Sequence, residues 1–135
     1  MTPKGGALEK MLPPFKLGLG GCFGSGQQYW SWVSLEDAVK AIEHCLIKKE
    51  IEGPVNITSP QTLTNRQIVK SLARSLHRPS FFPIPTSMLK IMFGEMAEEM
   101  FLASTKTHPQ KLLSSGYTFQ DANLEEFLTK LVKQV

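Results

Sequence analysis

The stretch from Gly18 to Val33 constrains the fold more than any other part of the sequence. Five glycines fall within its first nine residues, and both tryptophans of the chain follow them. Glycine permits backbone conformations and close approaches that other residues exclude, whereas the aromatic and β-branched run over residues 27–33 is typical of a strand. The stretch predicts either a phosphate-binding loop or a tight loop that leads into a buried strand.

The segments on either side of the glycines argue against the phosphate-binding alternative. A dinucleotide fingerprint needs a buried strand before the glycines and a helix after them, because the helix amides bind the pyrophosphate. Here residues 12–16 are Leu-Pro-Pro-Phe-Lys, which cannot form a central strand, and a strand is predicted afterwards. A Walker loop is excluded too, since no Gly-Lys-Ser/Thr follows. The sequence therefore assigns no cofactor-binding residues.

Composition predicts a globular chain. Of 135 residues, 41% are hydrophobic and 20% are charged, which argues against disorder and against fibrous repeats. The apolar runs are too short to span a bilayer, and no signal-peptide pattern is present, so we expect a cytoplasmic protein without membrane association. The net charge of +3 comes from scattered basic residues, which argues against nucleic acid as a partner.

No arrangement of residues typical of catalysis or metal binding is visible. The two cysteines, Cys22 and Cys45, form no Cys-x-x-Cys motif, and we expect them to be reduced and half-buried. The three histidines are not spaced as metal ligands, and there is no Gly-x-Ser-x-Gly elbow. We therefore predict no catalytic and no metal-binding residues.

Capping signals and periodicity predict a strand-helix-strand-helix unit across residues 28–77. Ser34-x-x-Asp37 opens a helix whose apolar residues recur at spacings of three and four. A short strand is predicted at Val55–Thr58, and Thr64-x-x-Gln67 opens a second helix. The unit gives the chain an α/β character.

The remaining segments predict helical pieces. A brief helix over residues 7–12 is expected to stop at Pro13, since proline lacks the amide and clashes with the preceding turn. Residues 81–85 predict an extended linker because of their prolines. Further helices are expected over 86–93, over 95–103, from Pro109 onward and from Asn123 onward. Met88, Met92, Met96 and Met100 recur every fourth residue, which predicts a core-facing stripe or, alternatively, the lining of a substrate pocket or a docking face.

Motifs along essentially the whole chain carry a family resemblance. They are, in order, Gly5-Gly6-Ala7-Leu8, Lys10-Met11-Leu12-Pro13-Pro14-Phe15, Leu17-Gly18-Leu19-Gly20-Gly21, Gly24-Ser25-Gly26, Ser31-Trp32-Val33, Gly53-Pro54-Val55-Asn56-Ile57-Thr58, Pro83-x-Pro85 and Phe93-Gly94-Glu95-Met96-Ala97. In this order they resemble the epimerase-like atypical short-chain dehydrogenase/reductase family, some of whose members are labelled cell-division inhibitors.

The resemblance implies the C-terminal part of such a protein. The implied fold is α/β, the C-terminal part of an extended Rossmann-type short-chain dehydrogenase, with two or three short strands and five or six helices. Residues 1–60 would be the C-terminal end of the Rossmann-like half with a substrate-side glycine loop, and residues 61–135 a mostly helical substrate-binding region. Members bind NAD or NADP through an N-terminal Rossmann half, so we do not expect the cofactor to bind this chain alone.

Three departures from the family pattern matter. Short-chain dehydrogenases typically carry a Tyr-x-x-x-Lys pair, but here Tyr29 is followed four residues on by valine and Tyr117 by aspartate, so neither has the lysine that would assist proton transfer. Ser34 and Cys22 stand where histidine and proline are common. Whether this chain acts as an enzyme is therefore left open by the sequence.

The resemblance also implies which residues face a ligand. Gly18–Gly26 would be a loop over the substrate side of the cofactor crevice, and strand alternation places Gln28, Trp30 and Trp32 on one face. The expected substrate contacts are Ser25, Gln28 and Trp30, with Lys10 and Phe15 as weaker candidates.

Three functions stay open at this point. The first is the substrate-binding part of an NAD(P)-dependent oxidoreductase, inactive without its N-terminal Rossmann half. The second is a stand-alone protein-interaction module, regulatory or related to cell division, without catalysis. A weak nucleic-acid binder, the third, rests on charge alone. If the Rossmann half is absent, the surface it would cover is exposed, and we expect self-association.

Overall fold

A computed structural model describes residues 1–134, apart from the side chains of Met92 and Met100. The elements in chain order are α1 (Gly6–Lys16), β1 (Tyr29–Trp30), α2 (Leu35–Ile47), β2 (Leu63–Thr64), α3 (Asn65–Ser75), α4 (Thr86–Phe93), a π-helix (Glu98–Leu102), α5 (Gln110–Ser114) and α6 (Leu124–Lys133). Within this part of the chain, six α-helices and one two-stranded sheet confirm the α/β class. The boundary proposed at residue 60 stays a prediction.

Side-chain caps begin three helices where the sequence predicts them. Ser34 accepts a hydrogen bond from the amide of Asp37 at the start of α2, and Asn123 caps α6 in the same way. Thr64 and Gln67 form a complete capping box at the start of α3. Each cap satisfies an amide that has no partner within its helix.

Helix α1 is longer than expected, and the prediction that Pro13 stops it is wrong. The helix continues through both prolines to Lys16. Its buried residues, Leu8, Met11, Leu12 and Phe15, recur at helical spacing on one face. Phe15 is completely buried. The free energy gained by burying its ring offsets the helical hydrogen bonds that the two prolines cannot donate.

The predicted strands are shorter than the sequence suggests. Only Tyr29 and Trp30 of the expected strand over residues 27–33 are paired, antiparallel to Thr64 and Leu63. The segment Val55–Thr58 belongs to no sheet among the described residues. A strand is defined by its pairing with another strand, and no strand of the described residues pairs with this segment.

One hydrophobic cluster joins the helices and the loops. It includes residues of α1, Phe23, Trp32, the apolar face of α3, Phe101 and the apolar face of α6. Helices α3 and α6 pack against each other within it. The extended linker is confirmed, and Ile84 forms an isolated parallel bridge with Phe23. This core fixes the glycine loop and β1 against the C-terminal helices.

The expected helix over residues 95–103 is a five-residue π-helix, Glu98–Leu102. Gly94, with a φ of 66°, ends α4 before it, so the methionine spacing does not lie on one continuous helix. Met88 and Met96 are half exposed, and the core-facing prediction is wrong for both; the side chains of Met92 and Met100 lie outside the described residues. None of the helices within residues 1–134 has the length and apolarity needed to cross a membrane.

Candidate functional site

The glycine loop is held by the chain itself. The amide of Gly24 donates to the carbonyl of Ile84 at 3.1 Å, and the amide of Ile84 donates to the carbonyl of Cys22 at 2.8 Å. A Cβ on Gly20 would lie 2.5 Å from ring carbons of Phe15, and one on Gly21 would overlap the carbonyl oxygen of Phe82. The close approaches at Gly20 and Gly21 are therefore internal packing, so these two glycines are not needed for contact with a ligand.

Two polar side chains after the loop converge on one carbonyl. Gln28 Nε2 donates to the carbonyl oxygens of Phe23 and Phe101, both at 2.9 Å. Trp30 Nε1 donates to the same Phe101 oxygen at 3.0 Å. This arrangement confirms that Gln28 and Trp30 share a face, as alternation predicts. It also means that both donors already have protein partners.

An aromatic cluster surrounds this carbonyl. The rings of Phe23 and Phe101 meet edge to face with centroids 5.1 Å apart, and Trp30 lies 5.5 Å from Phe23 and 5.8 Å from Phe101. Phe93 packs on Phe101 at 4.7 Å. Such contacts add packing energy beyond area burial, by about 0.5–1.5 kcal/mol per pair. The cluster packs the ring of Trp30 against those of Phe23 and Phe101.

A largely apolar cavity of about 730 Å³ opens beside this cluster. Its walls come from the first turn of α1, residues 29–33, the end of segment 55–58, α3 and the chain after Phe101. Trp30 and Trp32 both line it, and Trp32 stacks on Phe127 with centroids 5.6 Å apart. Trp32 Nε1 is buried and has no hydrogen-bond partner among the described residues. A concave apolar space of this size is the usual form of a small-molecule site.

The structure places the five expected contacts in different surroundings. Trp30 lines the cavity. Gln28 is half-buried in the aromatic cluster, and Ser25 is exposed on the loop, where its hydroxyl accepts a weak hydrogen bond from Gln27. Lys10 is exposed with its ammonium 5.8 Å from the ring of Phe93, and Phe15 is completely buried. Trp30 alone of the five therefore borders the cavity, and the assignment of all five as ligand contacts stays a prediction.

Sequence reasoning did not identify the first turn of α1 as a wall of the cavity. Gly5, Gly6 and Ala7 line it, and both glycines have positive φ, 103° and 74°. The doublet Gly5-Gly6 is a signal that could have indicated this, because paired glycines mark a backbone conformation that other residues rarely adopt.

Asp37 is a buried carboxylate in the first turn of α2. Its buried carboxylate accepts hydrogen bonds from the hydroxyl of Tyr117 and the amide of Asp121, both at 2.8 Å, and from the amide of Gln120 at 3.0 Å. Burial by itself raises the pKa of Asp37, but these donors and the Ser34 hydroxyl stabilise the charged form and lower the pKa below its usual value. Asp37 therefore stays ionised and joins α2 to residues 117–121.

The same contact makes Tyr117 unsuited to acid-base chemistry at neutral pH. Burial, followed by the neighbouring Asp37 carboxylate, raises the pKa of Tyr117 well above its ordinary value. A general base needs a pKa near the working pH. Tyr117 is therefore a structural donor. Within residues 1–134, no group of three or more His, Cys, Asp or Glu side chains is placed to hold a metal ion.

The two cysteines of the chain and His44 of α2 take part in no site described above. Cys22 and Cys45 are free and half-buried, as expected. His44 Nε2 lies 2.8 Å from the hydroxyl of Ser115, and the His44 ring meets Tyr117 edge to face. These contacts fix one side of α2 to the segment that follows α5.

Known proteins match this chain along its length. A family model described as a domain of unknown function (DUF1731) matches residues 84–131. The epimerase family protein Mb2239 of Mycobacterium bovis is 37% identical over 95% of this chain and 42% of its own length. Human epimerase family protein SDR39U1 is 34% identical over 95% of this chain and 44% of its own length.

A solved structure has the same fold. The crystal structure of human epimerase family protein SDR39U1 (isoform 2) with NADPH superposes with a TM-score of 0.92 at 30% identity, and the match covers 100% of this chain and 46% of that one. The chain thus spans less than half the length of the relatives that it matches.

Proposed function

We propose, on the premise that this chain belongs to the epimerase family and corresponds to the C-terminal portion of its members, that it supplies the substrate side of an NAD(P)H-dependent oxidoreductase site. The dinucleotide half of that site would come from an N-terminal Rossmann region. In this proposal the chain by itself neither binds the cofactor nor carries out the reaction.

One observation carries the proposal. The aromatic cavity beside Trp30 and Trp32 is built by a chain whose fold superposes on a relative solved with NADPH. Its apolar walls suit the carbon skeleton of a substrate.

The chemistry would be divided between the two halves. The cofactor supplies the hydride, and the N-terminal half positions it. This chain would orient the substrate, because α1, α3 and the aromatic cluster form walls of the cavity. Orientation of this kind contributes to rate by holding the reacting groups in a productive geometry.

The proposal is tested on a joined protein in which the N-terminal portion of human SDR39U1 precedes this chain. NADPH oxidation is measured against a panel of small carbonyl compounds and sugar nucleotides. Ala7→Phe narrows the cavity, whereas Glu9→Phe adds the same side chain to the same helix outside the cavity. We expect Ala7→Phe to raise KM at least about tenfold, equivalent to about 1.4 kcal/mol, and Glu9→Phe to leave it unchanged. A joined protein that binds NADPH but oxidises it with none of these compounds would count against an oxidoreductase.

An exposed apolar stripe on α2 favours a second candidate function, a protein-interaction module without catalysis. Large apolar side chains of α2 lie on the surface of this chain, and such stripes mark contact sites. The joined protein separates the two candidates. Substrate-dependent NADPH oxidation supports the first, and a folded joined protein that does not bind NADPH supports the second.

A further inference from the structure

The acidic residues of the chain are absent from two of its segments. None of the 12 Asp and Glu residues falls within residues 10–35 or 53–94. The lysines and arginines of these segments are Lys10, Lys16, Arg66, Lys70, Arg74, Arg78 and Lys90. The two segments meet in the fold, because a Cβ on Gly18 would lie 3.7 Å from the ring of Pro79. The net charge of +3 is therefore unevenly distributed over the structure.

A groove of about 590 Å³ lies at the C-terminal end of α3, within this basic part of the fold. Its basic lining consists of Lys70, Arg74, His77 and Arg78. Arg74 forms an ion pair with Glu125 of α6 at 2.8 Å. Within residues 1–134, neither Lys70 nor Arg78 forms an ion pair, so the charges of these two side chains are free for an anionic partner.

Large apolar side chains project beside the groove. Phe81, which also lines it, and Phe82 are 83% and 61% exposed, and Leu17 and Leu19 of the turn after α1 are 75% and 59% exposed. The turn lies against the linker, because a Cβ on Gly21 would overlap the carbonyl oxygen of Phe82. We call these four apolar side chains and the basic lining of the groove the basic-apolar patch.

The exposure of the four apolar side chains limits the kind of partner that fits them. A pocket for a partner's side chain is concave and buries its own lining, whereas Phe81 and Leu17 stand largely free of the surface. Nucleic-acid bases stack on aromatic faces, and Leu17 and Leu19 offer none. Free aromatic and aliphatic side chains bordered by lysine and arginine are typical of surfaces that bind anionic lipid.

We infer that the basic-apolar patch binds the surface of a membrane that contains anionic phospholipids. The four apolar side chains enter the boundary between headgroups and acyl chains, and Lys70 and Arg78 lie at the level of the lipid phosphates. Such a contact needs no membrane-spanning segment, and it differs from the absence of membrane association expected from the sequence. It is independent of the proposed function, because no residue of the patch lines the cavity beside Trp30.

Cosedimentation with vesicles tests the patch. The 135-residue chain is mixed with vesicles of phosphatidylcholine and phosphatidylglycerol in equal parts, or of phosphatidylcholine alone. We expect binding to the anionic vesicles to be at least about tenfold stronger, because Lys70 and Arg78 are attracted to the negative surface, and to weaken as added salt screens the charges. Absence of binding to the anionic vesicles would overturn the inference, as would equal binding to both kinds.

A pair of aromatic substitutions tests the apolar part of the patch. Phe81→Ser together with Phe82→Ser removes both rings, and we expect binding to the anionic vesicles to weaken at least about tenfold. The control is Leu46→Ser together with Ile47→Ser, which removes two side chains of similar exposure at the end of α2 and should leave binding nearly unchanged. Equal losses in the two double variants would contradict insertion by the patch.

A pair of charge substitutions tests the basic part. Lys70→Gln together with Arg78→Gln should also weaken binding to the anionic vesicles at least about tenfold. Lys48→Gln together with Lys49→Gln removes the same charge from exposed residues outside the patch, and we expect a much smaller effect. If the two pairs weaken binding equally, net charge rather than the patch attracts the chain, and the inference is wrong.

Other occupants give different results in the same assays. Binding of the chain to polyglutamate or to single-stranded RNA, without binding to vesicles, would overturn the inference. The joined protein with the N-terminal portion of human SDR39U1 should prefer anionic vesicles as the 135-residue chain does, and loss of this preference in a folded joined protein would contradict the patch. Its NADPH oxidation should be unaffected by Phe81→Ser with Phe82→Ser, so the proposed function and this inference fail in separate measurements.

Discussion

The hydroxyl of Tyr117 donates a hydrogen bond to Oδ1 of Asp37 at 2.8 Å, across 80 residues of sequence. This bond joins the first turn of α2 to the segment between α5 and α6. Amides of Gln120 and Asp121 complete the set of donors around the carboxylate. The packed face of α2 is therefore fixed by a buried charge, and the apolar face remains outside.

Removing the charge of Asp37 should destabilise the chain more than removing the hydroxyl of Tyr117. Asp37→Asn replaces one acceptor oxygen by a donor that faces other donors, which we expect to cost about 2–3 kcal/mol, whereas Tyr117→Phe removes one hydrogen bond and should cost about 1 kcal/mol. Urea unfolding of the two variants measures the difference. An Asp37→Asn variant as stable as the wild type would show that the network does not stabilise the fold.

Asp37 should also contribute to acid sensitivity. Its hydrogen bonds lower its pKa in the folded chain, so below the unfolded pKa of about 3.9 the unfolded chain binds a proton that the folded chain does not. The stability contributed by Asp37 is present above that pH and is lost as the pH falls through the lowered folded pKa. We expect Asp37→Asn to be less stable at neutral pH but to lose less stability on acidification. Parallel stability curves of variant and wild type between neutral and acidic pH would contradict this assignment.

Substitution of Gly21 should be more damaging than substitution of a glycine in open space. A methyl group at Gly21 overlaps the carbonyl of Phe82, so the main chain must move and the bridge between Phe23 and Ile84 is strained. We expect Gly21→Ala to cost about 3 kcal/mol or more. Gly116→Ala meets no atoms within 4 Å but has a φ of 90°, and should cost about 1–2 kcal/mol. The melting temperatures of the two variants measure this difference. A larger loss of stability in Gly116→Ala than in Gly21→Ala would show that the glycine loop adapts to the added methyl group.

The isolated chain should self-associate through the exposed apolar residues of α2, which are Leu35, Val39, Ile42 and Leu46. Exposed apolar surface of this kind drives association when its partner is absent. Light scattering over a range of concentrations should show species larger than a monomer, and Val39→Glu should reduce them. Lys40→Gln, which changes an adjacent position on the same helix, serves as control. A monomer at high concentration would rule out this behaviour.

The starts of α2, α3 and α6 were predictable because the residues that cap a helix lie next to it in the sequence. The caps at Ser34, Thr64 and Asn123 lie within three residues of the amides they accept from. The length of α1 was not predictable from its prolines alone, because the burial of Phe15 depends on distant segments. Likewise, Val55–Thr58 has strand composition, but pairing requires a neighbour, and residues 1–134 do not contain one.

Part of the candidate site was predictable for the same reason. Alternation correctly placed Gln28 and Trp30 on one face. That both donate to the carbonyl of Phe101 could not be predicted, because Phe101 is 71 residues beyond Trp30 and lies in an unpredicted π-helix. The role of Asp37 was also hidden, since its motif indicated a helix cap and the distant donors from Tyr117 to Asp121 left no local signal.

NADPH titration tests the central claim most directly. NADPH fluorescence is followed as the 135-residue chain, or the joined protein with the N-terminal portion of human SDR39U1, is added. If this chain is the substrate side of a site completed by a dinucleotide-binding half, the isolated chain leaves the fluorescence unchanged, and the joined protein gives a saturable change. Saturable binding of NADPH to the isolated chain, or its absence in a folded joined protein, would contradict the claim.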